Sequence, residues 1–328
     1  MHRATRLVAL GGIAAFLAAC SATGSNSVPS PNFNSPSTAS VSIPRAVQDR
    51  SGNVRVMFYT VQTERSGLVG GYVDKNGRHT MARRSTNLVY HNGPVQTAPK
   101  IYVTEWGNWS TGDPSAEYNY YKSFISAVGG SQWLSTVTQY TQTGGTHVGN
   151  AAGSYAGTWN DTTDAIPNLN TSSYQSALAA EAAKAAAHFG DYSANASYVI
   201  LIPHGVPVYE FAGNYGGANG YCAWHSSTSA SGGRIGYTNL PYQSDAGYSC
   251  GEGSVTSPGV NDGVSIVGGH EQAETETDPQ PNTGWLDSSG AEIGDKCAWT
   301  NLQNTSFGSA GNFPTQPLWS NAVTGCVQ

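Results

Sequence analysis

Residues 197–203, SYVILIP, place apolar side chains on consecutive positions, so a strand here is apolar on both faces. Both faces then need cover, which excludes a sheet with one wet side and asks for helices above and below it. Upstream, residues 171–189 (TSSYQSALAAEAAKAAAHF) are Ala-rich, open on Thr and Ser and stop at Gly190, the pattern of a helix. Further apolar runs predict strands at 54–60 and 100–106. Asp113-Pro114 ahead of AEYNYYKSFISAVGG predicts a second helix, capped by Asp113, with Pro114 at its first position and Gly129 as its stop. Strands alternating with helices define the α/β class, a mixed sheet flanked by helices. After Pro203 the texture turns to Gly, Ser, Tyr and Asn, which predicts long loops over 204–259 with one short strand near 234–238.

The N-terminus reads as a targeting segment. Arg3 and Arg6 precede an apolar run from Leu7 to Leu17 that closes on Leu17-Ala18-Ala19-Cys20. The run is too short for a permanent membrane span and has the form of a bacterial lipoprotein leader, with Cys20 as the acylated residue. Residues 1–19 are therefore expected as signal peptide, 20–50 as a flexible Ser- and Pro-rich tether, and 51–328 as a single domain. This implies a lipid-anchored protein of the cell envelope, periplasmic or surface-exposed, with the membrane as one partner. The net charge of −6 and the lack of any basic patch argue against nucleic acid.

Cys222, Cys250, Cys297 and Cys326 remain once Cys20 is set aside. An even number outside the cytoplasm predicts two disulfides. Three pairings exist, and the sequential one, Cys222 with Cys250 and Cys297 with Cys326, closes short loops and would pin the C-terminal half. No Cys-x-x-Cys or Cys/His zinc spacing is present.

Chemistry concentrates in GGHEQAETETDP, residues 268–279, where one histidine stands among four carboxylates with no Lys or Arg between them, in a chain with only 11% charged residues. Either water and salt absorb that repulsion or a bound cation does. Asn261-Asp262 offers a cap and Pro279 a stop, so a helix is expected over about 263–277, with three glycines that imply close packing. On that helix His270 and Glu274 lie one turn apart and share a face. Glu271 lies about 100° round, placed to act as general base on a bound water. The arrangement is that of H-E-x-x-H zinc hydrolases with the second histidine replaced by a carboxylate. That replacement hardens the donor set, so calcium or manganese gain ground as alternatives, while zinc remains the cation expected first. Further ligands come from GAEIGDKC, residues 290–297, with Asp295 as third ligand and Glu292 supporting or sharing the role. His225 adjoins Cys222 and could face the site, and His204 ends the buried strand, where functional groups often lie, although the plainer reading of each is a loop or core histidine. Gly247-Tyr248-Ser249-Cys250-Gly251 matches G-x-S-x-G, but its flanks are loop-like and not the strand and helix of a nucleophile elbow.

Five stretches taken together, YHNGPVQTAPKIYVTEWGNW (90–109), GGSQWLSTVTQY (129–140), GYCAWH (220–225), GHEQAETETDP (269–279) and GAEIGDKCAW (290–299), resemble in this order the phosphate-induced or exordium-like family of plants and its bacterial relatives. The resemblance covers about 88–299 and implies a secreted protein of a family without an agreed biochemical activity. Its H-E-x-x-E block followed by an E-I-x-D-x-C block matches His270, Glu271, Glu274, Glu292, Asp295 and Cys297, and looks like a zincin-type site. The acidic TETDP departs from the family's usual continuation. The function expected is a metal-dependent hydrolase acting on peptide bonds. The alternative is a non-catalytic cell-surface protein with a structural cation, its 18 Tyr and 8 Trp stacking on cell-wall polysaccharide.

Overall fold

A computed structural model describes residues 87–109, 112–212 and 220–328, together with two short antiparallel strand pairs earlier in the chain, 47–48 with 54–55 and 72–73 with 79–80. The leader, Cys20 and the tether lie outside the described residues. Of the strand expected over 54–60, only Val54–Arg55 is described as such. No helix among the described residues is long and apolar enough to cross a membrane.

Five strands form the central sheet: β1 (Lys100–Trp106), β2 (Tyr155–Asp161), β3 (Ala196–Leu201), β4 (Trp224–Ala230) and β5 (Gly233–Leu240). Their order is β2-β1-β3-β5-β4, with the first four parallel and β4 antiparallel at the edge. The sheet is thus mixed and flanked by helices, as the continuous apolar run implies. Central β3 is buried at every position.

Helix α1 (Glu117–Val128) and helix α3 (Asp262–Thr277) pack on one face and touch each other, while α2 (Tyr174–Phe189) covers the opposite face of β3, β4 and β5. Neighbouring residues of β4 show the two sides. Trp224 packs against Tyr174 of α2 with ring centroids 5.9 Å apart, whereas His225 turns to α3, as the two-residue period of a strand requires.

Two sequence expectations need correction, and one strand went unpredicted. Helix α1 begins at Glu117 and not at Pro114, because Ala116 sits in the left-handed region at φ 56°. Asp113 still caps it from upstream, its Oδ1 and Oδ2 accepting the Glu117 and Tyr118 N–H groups at 2.7 and 3.3 Å. The region 204–259 is loop over most of its length and β5 contains the short strand expected near 234–238, but a second strand, β4, pairs with it as a hairpin. The sequence of β4, WHSSTSA, is rich in small and polar residues and carries little strand pattern of its own; the pairing with β5 makes it strand. Strand β2, YAGTWND, was hidden by its Gly and Asn in the same way.

Cys222 pairs with Cys250 and Cys297 with Cys326, with Cα atoms 5.5 and 5.8 Å apart, the sequential pattern. The first bridge ties the entry to β4 to the turn before α3. The second ties the Asp295–Cys297 turn to the C-terminal strand Gly325–Val327.

Helix α3 answers the question posed by its acids. All sixteen of its residues are buried, so bulk water does not absorb their repulsion. Its glycines are there for close approach: a Cβ on Gly268 would stand 2.5 Å from the Tyr121 ring, and one on Gly263 would collide with the Cys250 carbonyl. Asp278 closes the helix, its carboxylate accepting the N–H groups of Asn282, Thr283 and Gly284.

Candidate metal centre

Helix α3, the edge strand β4 and the turn 292–297 meet inside the core. The helix brings His270, Glu271 and Glu274, the turn brings Glu292 and Asp295, and β4 adds His225; none of the six is more than 4% exposed. His270 Nε2 lies 3.0 Å from Glu274 Oε1 and 3.7 Å from Asp295 Oδ1. His225 Nδ1 lies 3.3 Å from Glu271 Oε2 and 3.6 Å from Glu274 Oε2, and its Nε2 lies 3.5 Å from Glu292 Oε1. Most of these separations are long for hydrogen bonds. The three at His225 fall at the spacing of about 3.3–3.6 Å between donors held at about 2.0–2.2 Å around a tetrahedral zinc.

Two sets of ligand atoms each fit within 4.8 Å, His270 with Glu271 and Glu274, and His225 with Glu274 and Glu292. Buried His and Glu groups here could therefore hold a metal ion. The sequence-predicted residues His270, Glu271, Glu274 and Glu292 all fall in one set or the other. Asp295 approaches His270 but belongs to neither; its N–H donates to Glu274 Oε1 at 3.0 Å and its Oδ2 accepts the Glu292 N–H at 3.0 Å, which fixes both ligands. Backbone packing fixes His270 as well, since a Cβ on Gly294 would stand 2.6 Å from its Nδ1.

Burial and crowding shift the titrations of this cluster. Burial raises the Glu271, Glu292 and Asp295 carboxyls, and the neighbouring carboxylates, Glu274 first among them for Glu292 and Asp295, push in the same direction; Asp295 reaches about 8. Burial opposes charge on His270, but Glu274, Glu271 and Asp295 outweigh it and lift the imidazole to about 10. His225 is raised for the same reason, by Glu271, Glu274 and Asp278. Both His225 nitrogens face acceptors, because Nε2 also lies 3.2 Å from the Asp278 carbonyl. A neutral ring would point one lone pair at an oxygen, so His225 either carries two protons or gives a nitrogen to a cation. Cation binding at such a site releases protons.

His225, whose plainer reading from sequence is a core histidine although its place beside Cys222 allows it to face the site, is the sixth residue of the cluster. Its signal lies in the block GYCAWH, which sits among the resemblance stretches although 45 residues separate it from His270. His204 stands apart from the centre, half-exposed at the end of β3 with Nδ1 on Asp245. It lines an open cleft of about 630 Å³ beyond the carboxyl ends of β1, β2 and β3, with Asn108, Thr163 and Asp164. None of the centre's six residues borders that cleft. Ser249 lies in a short 3-10 turn, not at a strand-to-helix elbow.

No protein-family model, curated protein or solved structure matches this chain.

Proposed function

We propose that this protein is a lipid-anchored metallohydrolase of the bacterial cell envelope, a relative of the exordium-like family, that cleaves peptide bonds with a divalent cation held on α3. The single observation that carries the reading is the state of Glu271. Its Oε2 is held toward His225 while its Oε1, fully buried, accepts no hydrogen bond. A carboxylate that only filled a structural shell would leave that oxygen desolvated without return. His270 and Glu274 hold the cation, with Asp295, Glu292 and His225 completing its surroundings. Zinc leads and manganese follows, because two imidazoles suit either better than calcium, which takes oxygen ligands. The cation supplies Lewis-acid polarisation of the scissile carbonyl and activation of water. Glu271 takes the proton of the attacking water on Oε1, and burial, which raises its carboxyl, makes it a stronger base than an exposed glutamate.

A second reading, a non-catalytic surface protein with a structural cation and polysaccharide as partner, is favoured by burial, since His270, Glu271 and Glu274 are 0% exposed and a substrate must reach them. Glu271→Gln separates the two. The amide fills the same space and cannot take the proton, so the zinc-loaded variant should keep its metal and lose cleavage of a mixed peptide library read by mass spectrometry. Equal cleavage by variant and wild type excludes Glu271 as base, and no cleavage by either favours the structural reading. The anchor is tested separately: Cys20→Ala should move the protein out of the membrane fraction, and unchanged fractionation contradicts lipidation.

A further inference from the structure

We propose that the centre holds two divalent cations bridged by the carboxylate of Glu274. The inference rests on reading the cluster as a cation site and goes beyond it in the number of cations and the division of ligands. Glu274 is the only residue common to the two ligand sets. Its oxygens face different histidines, Oε1 toward His270 Nε2 at 3.0 Å and Oε2 toward His225 at 3.6 Å. The histidines arrive from different elements, His270 from α3 and His225 from β4. A carboxylate aimed at both is the bridge of a two-metal site, in which the ions stand about 3.5–4 Å apart.

Charge favours two cations over one. Glu271, Glu274, Glu292 and Asp295 bring four carboxylates into the core, and among the described residues no Lys or Arg pairs with any of them. Lys296, next in the chain to Asp295, gives its ammonium to Asp287 at 2.8 Å and lies over the Trp319 ring at 4.2 Å. With all four ionised, one divalent ion ligated by neutral imidazoles leaves two carboxylate charges that only protons could neutralise in a dry site, whereas two ions balance all four. An independent sign comes from Glu292. It is 1% exposed, and neither of its oxygens accepts a hydrogen bond. Buried carboxylates are almost always satisfied, so both Glu292 oxygens are oriented for a ligand on the His225 side. Asp295 Oδ1, on the His270 side, also accepts no hydrogen bond.

The experiment uses the full chain, stripped with chelator and titrated with Mn(II), with elemental analysis and electron paramagnetic resonance on the same samples. Wild type should saturate at two manganese per chain and show the many-line spectrum of an exchange-coupled pair. Glu292→Gln should drop saturation from two to one and leave the six-line spectrum of an isolated ion. Asp295→Asn, at the carboxylate whose Oδ1 faces His270 at 3.7 Å, should lower occupancy on the His270 side and guards against a folding defect in the first variant. Wild-type saturation at one ion, with the six-line spectrum, overturns the pair and leaves the single cation of the proposed function standing. No manganese or zinc bound at all removes both.

Discussion

His225 on the edge strand and Glu271 on α3 meet inside the core, with Nδ1 3.3 Å from Oε2. The contact joins an edge strand of the sheet to the most acidic helix. His225→Ala removes a donor from one ligand set and leaves Glu271 Oε2 without a partner. Metal affinity should fall on the order of 10–100-fold, the range seen when groups that orient metal ligands are lost, or further if His225 ligates directly. Competition with a chromophoric chelator reads the change, and unaltered affinity would place His225 outside the centre.

Gly294 holds a second structural constraint. Its backbone needs no positive φ, but a Cβ there would stand 2.6–2.8 Å from Nδ1, Cε1 and Cγ of His270. Gly294→Ala should therefore destabilise the fold by about 1–3 kcal/mol through overpacking and weaken metal binding together with it. Gly325→Ala serves as the control, since its nearest neighbour, the Val323 carbonyl, is 3.8 Å away. Equal melting temperatures for the two variants would show that the His270 ring yields without effect.

Local chemistry was legible in the sequence where it lay within a few turns. His270 and Glu274 share a helix face by spacing alone, and Glu292 and Asp295 follow in one short segment whose cysteine marks it as fixed. The buried β3 and the Ala-rich α2 declare themselves by composition. His225 was not legible in this way, because it reaches the centre only when β4 pairs with β5 and β5 with β3, and those pairings are set by tertiary packing. The complete burial of α3 was hidden too: a solvated acidic helix and a buried one read alike when its cover comes from α1, the sheet and the C-terminal strand Asn312–Thr315.

Glu117, at the start of α1, gives a pH signature independent of the metal centre. Burial pushes its carboxyl from 4.5 to about 8, against the opposing N–H groups of Gln243 and Ser244 and with a further push from Asp113. The folded state keeps a proton that the unfolded state releases above 4.5, so the unfolded chain binds fewer protons across that window and stability falls as pH rises. The contribution is whole below 4.5 and gone above about 8. Thermal melts of wild type and Glu117→Gln should show the difference shifting toward the variant between about pH 5 and about pH 8. A difference constant over that range would mean that Glu117 ionises at its ordinary value.

The central claim is that the acids of α3 are gathered around a cation, and its most direct measurement is the metal content of the purified chain after exposure to zinc and removal of excess. Wild type should retain at least one zinc per chain, and His270→Ala, which deletes an imidazole from α3 and leaves Glu274 and Asp295 facing each other without it, should lose zinc and melt at a lower temperature. A wild type that retains no zinc, with His270→Ala equal to it in both metal and melting temperature, would contradict the account.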